Sequence, residues 1–172
     1  MKYFFLFILI LFKLNNALSD DKIAFIDLNY IMNNSLSGKS INSFIKDLNK
    51  TKLEEFKKIE NNLKKDENDL IAKKNIIEKN LYNEKVKAIK IRINNYKLDR
   101  QNFQKTLEKK KIVYTNKLLE KLNPIISNYV EKNSISVVFP KKMIIVGKKN
   151  LDITIPILNM LDKSIQKINF NE

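Results

Sequence analysis

Histidine and cysteine are both missing from the 172 residues of this chain, and only two glycines and three prolines occur. Without histidine the commonest general base is gone, and without cysteine so are the thiol nucleophile and most zinc sites. No disulfide can form, so the fold rests on packing or on association between chains. Gly38 and Gly147 are the two glycines, and neither lies in a glycine-rich turn, which excludes a phosphate-binding loop. Neighbouring acids such as Glu54-Glu55 and Asp66-Glu67 do occur, but adjacent residues point apart on a helix and read as a solvated face. The composition speaks against an enzyme, and neither a cofactor nor a metal is expected.

Arginine is scarce as well. Arg92 and Arg100 are the only two among 33 basic residues, the rest being lysine. Lysine, asparagine and isoleucine are all abundant, as an AT-rich coding sequence would produce, so part of the net charge of +14 reflects codon usage. Such a charge attracts anionic partners of any kind, whether acidic proteins, anionic membrane surfaces or nucleic acid. Nucleic acid ranks last, because arginine is the preferred reader of guanine and because the chain opens with an export signal.

That signal has three parts. Lys2 supplies the positive charge, Tyr3 to Phe12 form an apolar stretch of ten residues, and Ala17-Leu18-Ser19 offers small residues for cleavage. Ten residues are too few to cross a bilayer, which needs about 20. The alternative is an uncleaved anchor extending through Lys13 and Leu14. Cleavage after Ser19 leaves residues 20–172 with 31 basic against 19 acidic residues, a net +12, and a location outside the cytoplasm.

What the chain does contain is an 85-residue run, Lys39 to Asn123, with no glycine or proline. Both residues break helices, so the run predicts long helices rather than a compact fold. Its apolar spacing is heptad-like. Phe56, Leu63, Leu70 and Ile77 recur every seven residues, and Tyr82, Val86, Ile89, Ile93, Tyr96, Phe103, Leu107 and Tyr114 follow alternating four and three spacing. The second seam is interrupted at Arg100 and Lys110. Two facing seams predict an antiparallel hairpin with its tip at Asn75 to Lys79; the alternative is one continuous helix that pairs with other copies. Polar positions such as Asp66, Lys73, Arg100 and Lys110 weaken such a seam and predict compliant arms. Charge is uneven along the hairpin, with eight lysines against seven acids in 39–72 but thirteen basic residues against four acids in 73–111. Lys85, Lys87, Lys90 and Arg92 of the basic arm are the candidates for contact with an acidic client or an anionic surface.

Both flanks of the hairpin read as sheet. Lys22 to Leu28 is apolar on both faces and predicts a central strand. Asn29 can cap a short helix through Met32, and Ser37 or Ser40 the next, with Gly38 permitting the turn. Pro124 is expected to kink or end the long helix. Beyond it, Ile135 to Phe139 and Met143 to Val146 predict two strands joined by a turn at Pro140-Lys141-Lys142, with Gly147 ending the second. Thr154 can cap a last helix with Pro156 in its first turn and Ile157, Leu158, Leu161, Ile165 and Ile168 on one face. The reading is therefore α+β. A small sheet body forms from 20–38 and 124–172, and a helical hairpin spans 39–123. One copy of that body offers a meagre core and open sheet edges, which predicts association through Ile23, Phe25, Ile26, Val137, Val138, Ile144 and Ile145.

In this order and spacing, KIAFIDLNYIM with the later GKS, the long hairpin, SISVVF, MIIV, and Asp152-Ile153-Thr154 followed by ILNMLDKS, the exported chain resembles the Skp (OmpH-like) family of periplasmic chaperones. The resemblance implies a homotrimer whose sheet regions form a body and whose three hairpins extend as tentacles around a cavity. It implies that unfolded outer-membrane β-barrel proteins are held there without ATP. It carries over no lipid site, because the basic positions proposed in the family for lipopolysaccharide cannot be matched here one by one. The residues also permit a second function, a structural coiled-coil spacer or tether in the cell envelope.

Overall fold

The computed structural model describes residues 22–170, so the expected export signal and cleavage position lie outside the described residues. The chain opens with strand β1 (Lys22–Ile26), followed by a short helix α1 (Leu28–Asn34) and two long helices, α2 (Leu36–Ala72) and α3 (Lys79–Lys132). Strand β2 (Ile135–Pro140) comes next, then two short 3₁₀ turns at 141–143 and 149–151, and a last helix α4 (Thr154–Ser164).

The 3.5-residue apolar period is what makes α2 and α3 a hairpin. Phe56, Leu63 and Leu70 are buried on the first arm, and every predicted seam residue of the second is half-buried or buried. Ala72 ends α2 and Lys79 begins α3, so the turn occupies 73–78 and overlaps the expected tip. At about 1.5 Å per residue, the 37 residues of α2 reach roughly 55 Å, well beyond the width of the body.

The hairpin is also a crossover. β1 and β2 pair in parallel, Ile23 opposite Val137 and Phe25 opposite Phe139, with an irregularity between Lys22 and Ile23. Parallel strands need a long connection, and here the connection is the whole hairpin. On its other edge β1 meets Asp152 in a single bridge. β1 thus occupies the middle position that its two-sided apolarity predicted, though the second neighbour is one bridge rather than a strand.

Beneath the sheet lies a core drawn from every element around it. Ala24 and Ile26 of β1, Ile31 of α1, Ile41 of α2, Leu118 and Leu122 of α3, and Ile157 and Leu161 of α4 form one buried cluster. Ile157, Leu158, Leu161, Ile165 and Ile168 face it as their spacing predicted. Fully burying a side chain of this size contributes about 1.5–3 kcal/mol, so this cluster is what fixes the hairpin to the body.

Several local expectations are corrected. α1 is capped by Asp27, whose carboxylate accepts from the Tyr30 N–H at 2.9 Å, not by Asn29. α2 is capped by the buried Ser35, which accepts from the Gly38 N–H at 3.1 Å, not by Ser37 or Ser40. Gly38 therefore lies inside the first helical turn. Its role is close approach, because a Cβ there would come 2.0 Å from the Met32 carbonyl oxygen. Pro124 does not end its helix, since α3 runs on to Lys132. Pro124 and Glu120, whose carbonyl loses its usual partner, are both on the exposed side, while Leu122, Ile125, Ile126 and Tyr129 hold the helix to the core.

Met143 to Val146 is not a strand. The chain leaves β2 through a 3₁₀ turn and crosses back over β1, where the Gly147 backbone lies so close to the Phe25 ring that a Cβ would stand 2.8 Å from its Cε1 atom. A strand needs a neighbouring ladder, and among the described residues none runs beside 143–146. Finally, α4 has Ile153 at its cap position; the Thr154 hydroxyl accepts instead from the Asp27 N–H at 2.8 Å.

Candidate functional site

Two surfaces stand out, one along the arms and one at the edge of the body. The arm seam is aromatic at its centre. Phe56 packs edge-on against Tyr96 and Phe103 with ring centroids 5.8 and 5.9 Å apart. The Tyr96 hydroxyl donates to Glu60 at 3.1 Å, and the Arg100 guanidinium sits over the Tyr96 ring. Asp66 accepts a charged hydrogen bond from Arg92 across the arms at 2.5 Å. Of the polar residues on the seam, Asp66 therefore has a partner on the neighbouring helix and Arg100 one a turn away on its own.

Nearer the tip the arms part around a cleft of about 470 Å³, lined by Asp66, Asp69, Leu70, Lys73, Ile77, Lys85, Ala88, Ile89 and Arg92. Of the four predicted cationic contacts, Lys85 and Arg92 thus face the space between the arms, and Arg92 is already paired. Lys87 and Lys90 are exposed on α3. The four do not form one patch.

A feature that the sequence reading passed over lies on the outer side of α3. Ile91, Leu98 and Ile112 are 59%, 54% and 59% exposed, with Lys105 completing the seven-residue spacing. Ile91 and Leu98 stand two residues beyond the seam residues Ile89 and Tyr96, and Ile112 two beyond Lys110, where the seam is interrupted; two residues are about 200° around a helix and so opposite the seam. Exposed Lys87, Lys90 and Lys97 are interspersed. The signal was present in the sequence as a second heptad row, offset by two from the first.

At the body edge, Ile145 and Val146 are 98% and 90% exposed, Met143 is 66% exposed, and Ile23 and Val137 are about half exposed. Phe25 and Ile26, by contrast, are buried within their own chain, and Val138 and Ile144 are half-buried. Of the seven residues predicted for association, Ile23, Val137 and Ile145 are those that the fold leaves outward.

A polar network closes the body where β2 hands over to the last helix. Lys141 Nζ donates to Asp152 at 2.8 Å, and Asp152 accepts from the Thr154 N–H at 3.0 Å. Burial pushes the Asp152 carboxyl up, but the hydrogen bonds from Lys141 and Thr154 and the charge of Lys141 outweigh it and hold the group below its ordinary value. The Lys141 ammonium is raised, first by its hydrogen bond to Asp152 and then by the charge of that carboxylate. Among the described residues no acidic cluster has the geometry of a metal site, and no helix is long and apolar enough to cross a membrane.

The order of these elements is matched along most of the chain by one family model, described as "Outer membrane protein (OmpH-like)", over residues 22–161. The chain belongs to the OmpH-like family. No curated protein matches it. Among solved structures, the crystal structure of a candidate OmpH-like outer membrane chaperone from Caulobacter crescentus CB15 superposes with a TM-score of 0.83 at 19% identity, over 88% of this chain and 90% of that one. At that identity the likeness is one of fold. The OmpH-like α+β architecture, a small sheet at the root of a long helical hairpin, is common to both.

Proposed function

We propose that this OmpH-like chain is an ATP-independent periplasmic holdase that binds unfolded outer-membrane β-barrel proteins and keeps them from aggregating. The observation that carries the reading is the outer face of α3, where Ile91, Leu98 and Ile112 stand in water between lysines on an arm about 55 Å or more in reach. Spaced apolar side chains give many weak contacts to an unfolded chain without one tight site. The surrounding positive charge draws acidic segments from a distance. Lys87 and Lys90 serve that role on the open side of α3, and Lys85 and Arg92 at the cleft.

Assembly as a homotrimer accounts for the body edge. Ile23 and Val137 of the sheet and Ile145 and Val146 of the loop are left exposed, and a second copy is the natural cover. An anionic membrane surface is a further partner for the lysines. Export past the inner membrane rests on the signal read from residues 1–19.

The test is light scattering from an unfolded outer-membrane barrel diluted out of urea, with and without residues 20–172, in buffer lacking ATP. Suppressed scattering that saturates near three chains per client supports the holdase. Replacing Ile91, Leu98 and Ile112 together with Asn should weaken suppression severalfold while leaving the fold intact, because all three are exposed. Unchanged aggregation by a folded protein would sink the reading and leave the structural spacer in its place. Client association that slows as salt is raised supports the electrostatic part, and salt-insensitive association refutes it.

A further inference from the structure

The segment after α4, Ile165 to Phe170, is neither helix nor strand, yet its last residue is held in a cluster of three aromatic rings. The Phe170 ring stacks on Phe44 of α2 with centroids 4.2 Å apart and planes 3° from parallel. It also meets Tyr114 of α3 edge-on at 5.0 Å, and the Tyr114 hydroxyl donates to the Phe170 carbonyl at 2.9 Å. Phe44 and Tyr114 themselves touch edge-on at 5.5 Å, so the three rings form one closed contact joining both arms to the segment. The segment lies past residue 161, beyond the part of the chain that the family model matches.

Position gives this contact its consequence. Ile41 and Leu118 are buried in the body cluster; Tyr114, its outermost member on α3, and Phe44, packed against it, each lie about one turn further out along their arms. Beyond Phe44, Ile45 and Tyr114, no described residue of either arm belongs to the body cluster or packs against it. Phe170 therefore grips the hairpin at the outer end of that cluster. The grip is also the kind that can open. It rests on Ile165, Ile168 and Phe170, all half-buried, in a segment with no regular secondary structure. Segments with few buried contacts and little regular backbone bonding open at a lower free energy than the core.

We propose that Ile165–Phe170 is a strap whose ring pins the root of the hairpin, so that the strap's docking sets how freely the arms swing against the body. With Phe170 seated, α2 and α3 leave the body at a fixed angle and spacing. With it released, the pivot moves inward to Ile41 and Leu118 and the arms sweep a wider arc. The device belongs to the single chain and does not depend on what the arms hold.

Because the chain has no cysteine, labels can be placed without background. Spin labels at Asn62→Cys on α2 and Lys163→Cys on α4, both exposed, report the arm-to-body distance, with labelled chains diluted into unlabelled ones to remove pairs between copies. Phe170→Ala should broaden the distance distribution, and amide exchange at 43–48 and 111–116 should rise about tenfold while exchange at 118–122 stays within about twofold. Phe170→Tyr keeps the ring and should restore both. An unchanged distribution in Phe170→Ala overturns the strap. So does equal acceleration at 118–122, which would make Phe170 an ordinary core residue, and so does a Tyr variant as loose as the Ala one.

Discussion

Leu122 and Leu63 lie on the same helical hairpin, one at its root and the other midway along it. Leu122 is fully buried in a cluster fed by β1 and four helices, whereas Leu63, 7% exposed, lies on a seam between two helices alone. On α3 the seam residues facing Leu63 are only half-buried. The root is therefore a core in the ordinary sense, closed on all sides. The arm is a two-helix ribbon with water on both flanks. The contrast teaches where rigidity is concentrated: contacts from β1 and four helices anchor the hairpin at its root, and its distal part is held only by one helix against the other.

The sharpest way to break the comparison is to make the same truncation in both places. Leu122→Ala removes a fully enclosed side chain and should cost about 3–4 kcal/mol, seen as a lower urea midpoint for the whole molecule. Leu63→Ala should cost about 2 kcal/mol, the low end of such truncations, because the ribbon can close around the gap and water already reaches its flanks. Its effect should appear mainly as faster amide exchange in the arm. Equal global losses would mean that arm and body unfold as one unit.

Gly38→Ala tests the junction between them. The added methyl would meet the Met32 carbonyl, so α1 and α2 must separate, at about 2–3 kcal/mol. The melting temperature should fall while the seam keeps its slow exchange. Loss of protection along the seam as well would show that the angle between α1 and α2 also holds the arm.

A smaller effect is expected from Asp152, on the body side only. Its folded pKa is lowered, so its contribution is present above the ordinary aspartate value of about 3.9 and is lost as pH falls through the folded value below it. Lys141 is raised, so its contribution is present below its ordinary value of about 10.4 and is lost as pH rises past the folded value. Thermal melts of the parent should fall more steeply than those of Asp152→Asn between about pH 5 and pH 3. Parallel slopes would remove Asp152 from the account.

The same contrast explains what could be read from the residues. The arm was legible almost residue by residue, because a two-helix seam imposes one period on the sequence and Phe56, Leu63, Leu70 and the α3 row obey it. The outer row of Ile91, Leu98 and Ile112 obeys a period too, but it becomes visible only once the seam assigns a face to each residue. The root was legible in kind and not in detail. Asp27, Asn29, Ser35, Ser37 and Ser40 are all competent caps, and packing decided among them. Pro124 stays helical because the body holds both sides of it. Met143 to Val146 has strand composition, but the described chain gives it no partner. The contact of Phe170 with Phe44 and Tyr114 joins residues too distant in sequence for any local pattern to reveal.

The smallest effect concerns the Arg92–Asp66 ion pair, which crosses the arms. Arg92 and Asp66 are about half exposed, so water and salt screen them, and ordering two side chains offsets much of the attraction. A double-mutant cycle with Arg92→Ala and Asp66→Ala should give a coupling below about 0.5 kcal/mol at 0.15 M salt, shrinking further as salt is raised. The pair nevertheless sits beside the cleft near the tip, where Asp69, Lys73 and Lys85 also face the gap. Its contribution is then to register more than to stability: it selects which turn of α3 faces which turn of α2. Amide exchange near the tip should rise in either single variant, with the global melting temperature unchanged. A coupling of 1.5 kcal/mol or more would contradict the picture of a weakly held ribbon and would place a second anchor of the hairpin far out along the arm.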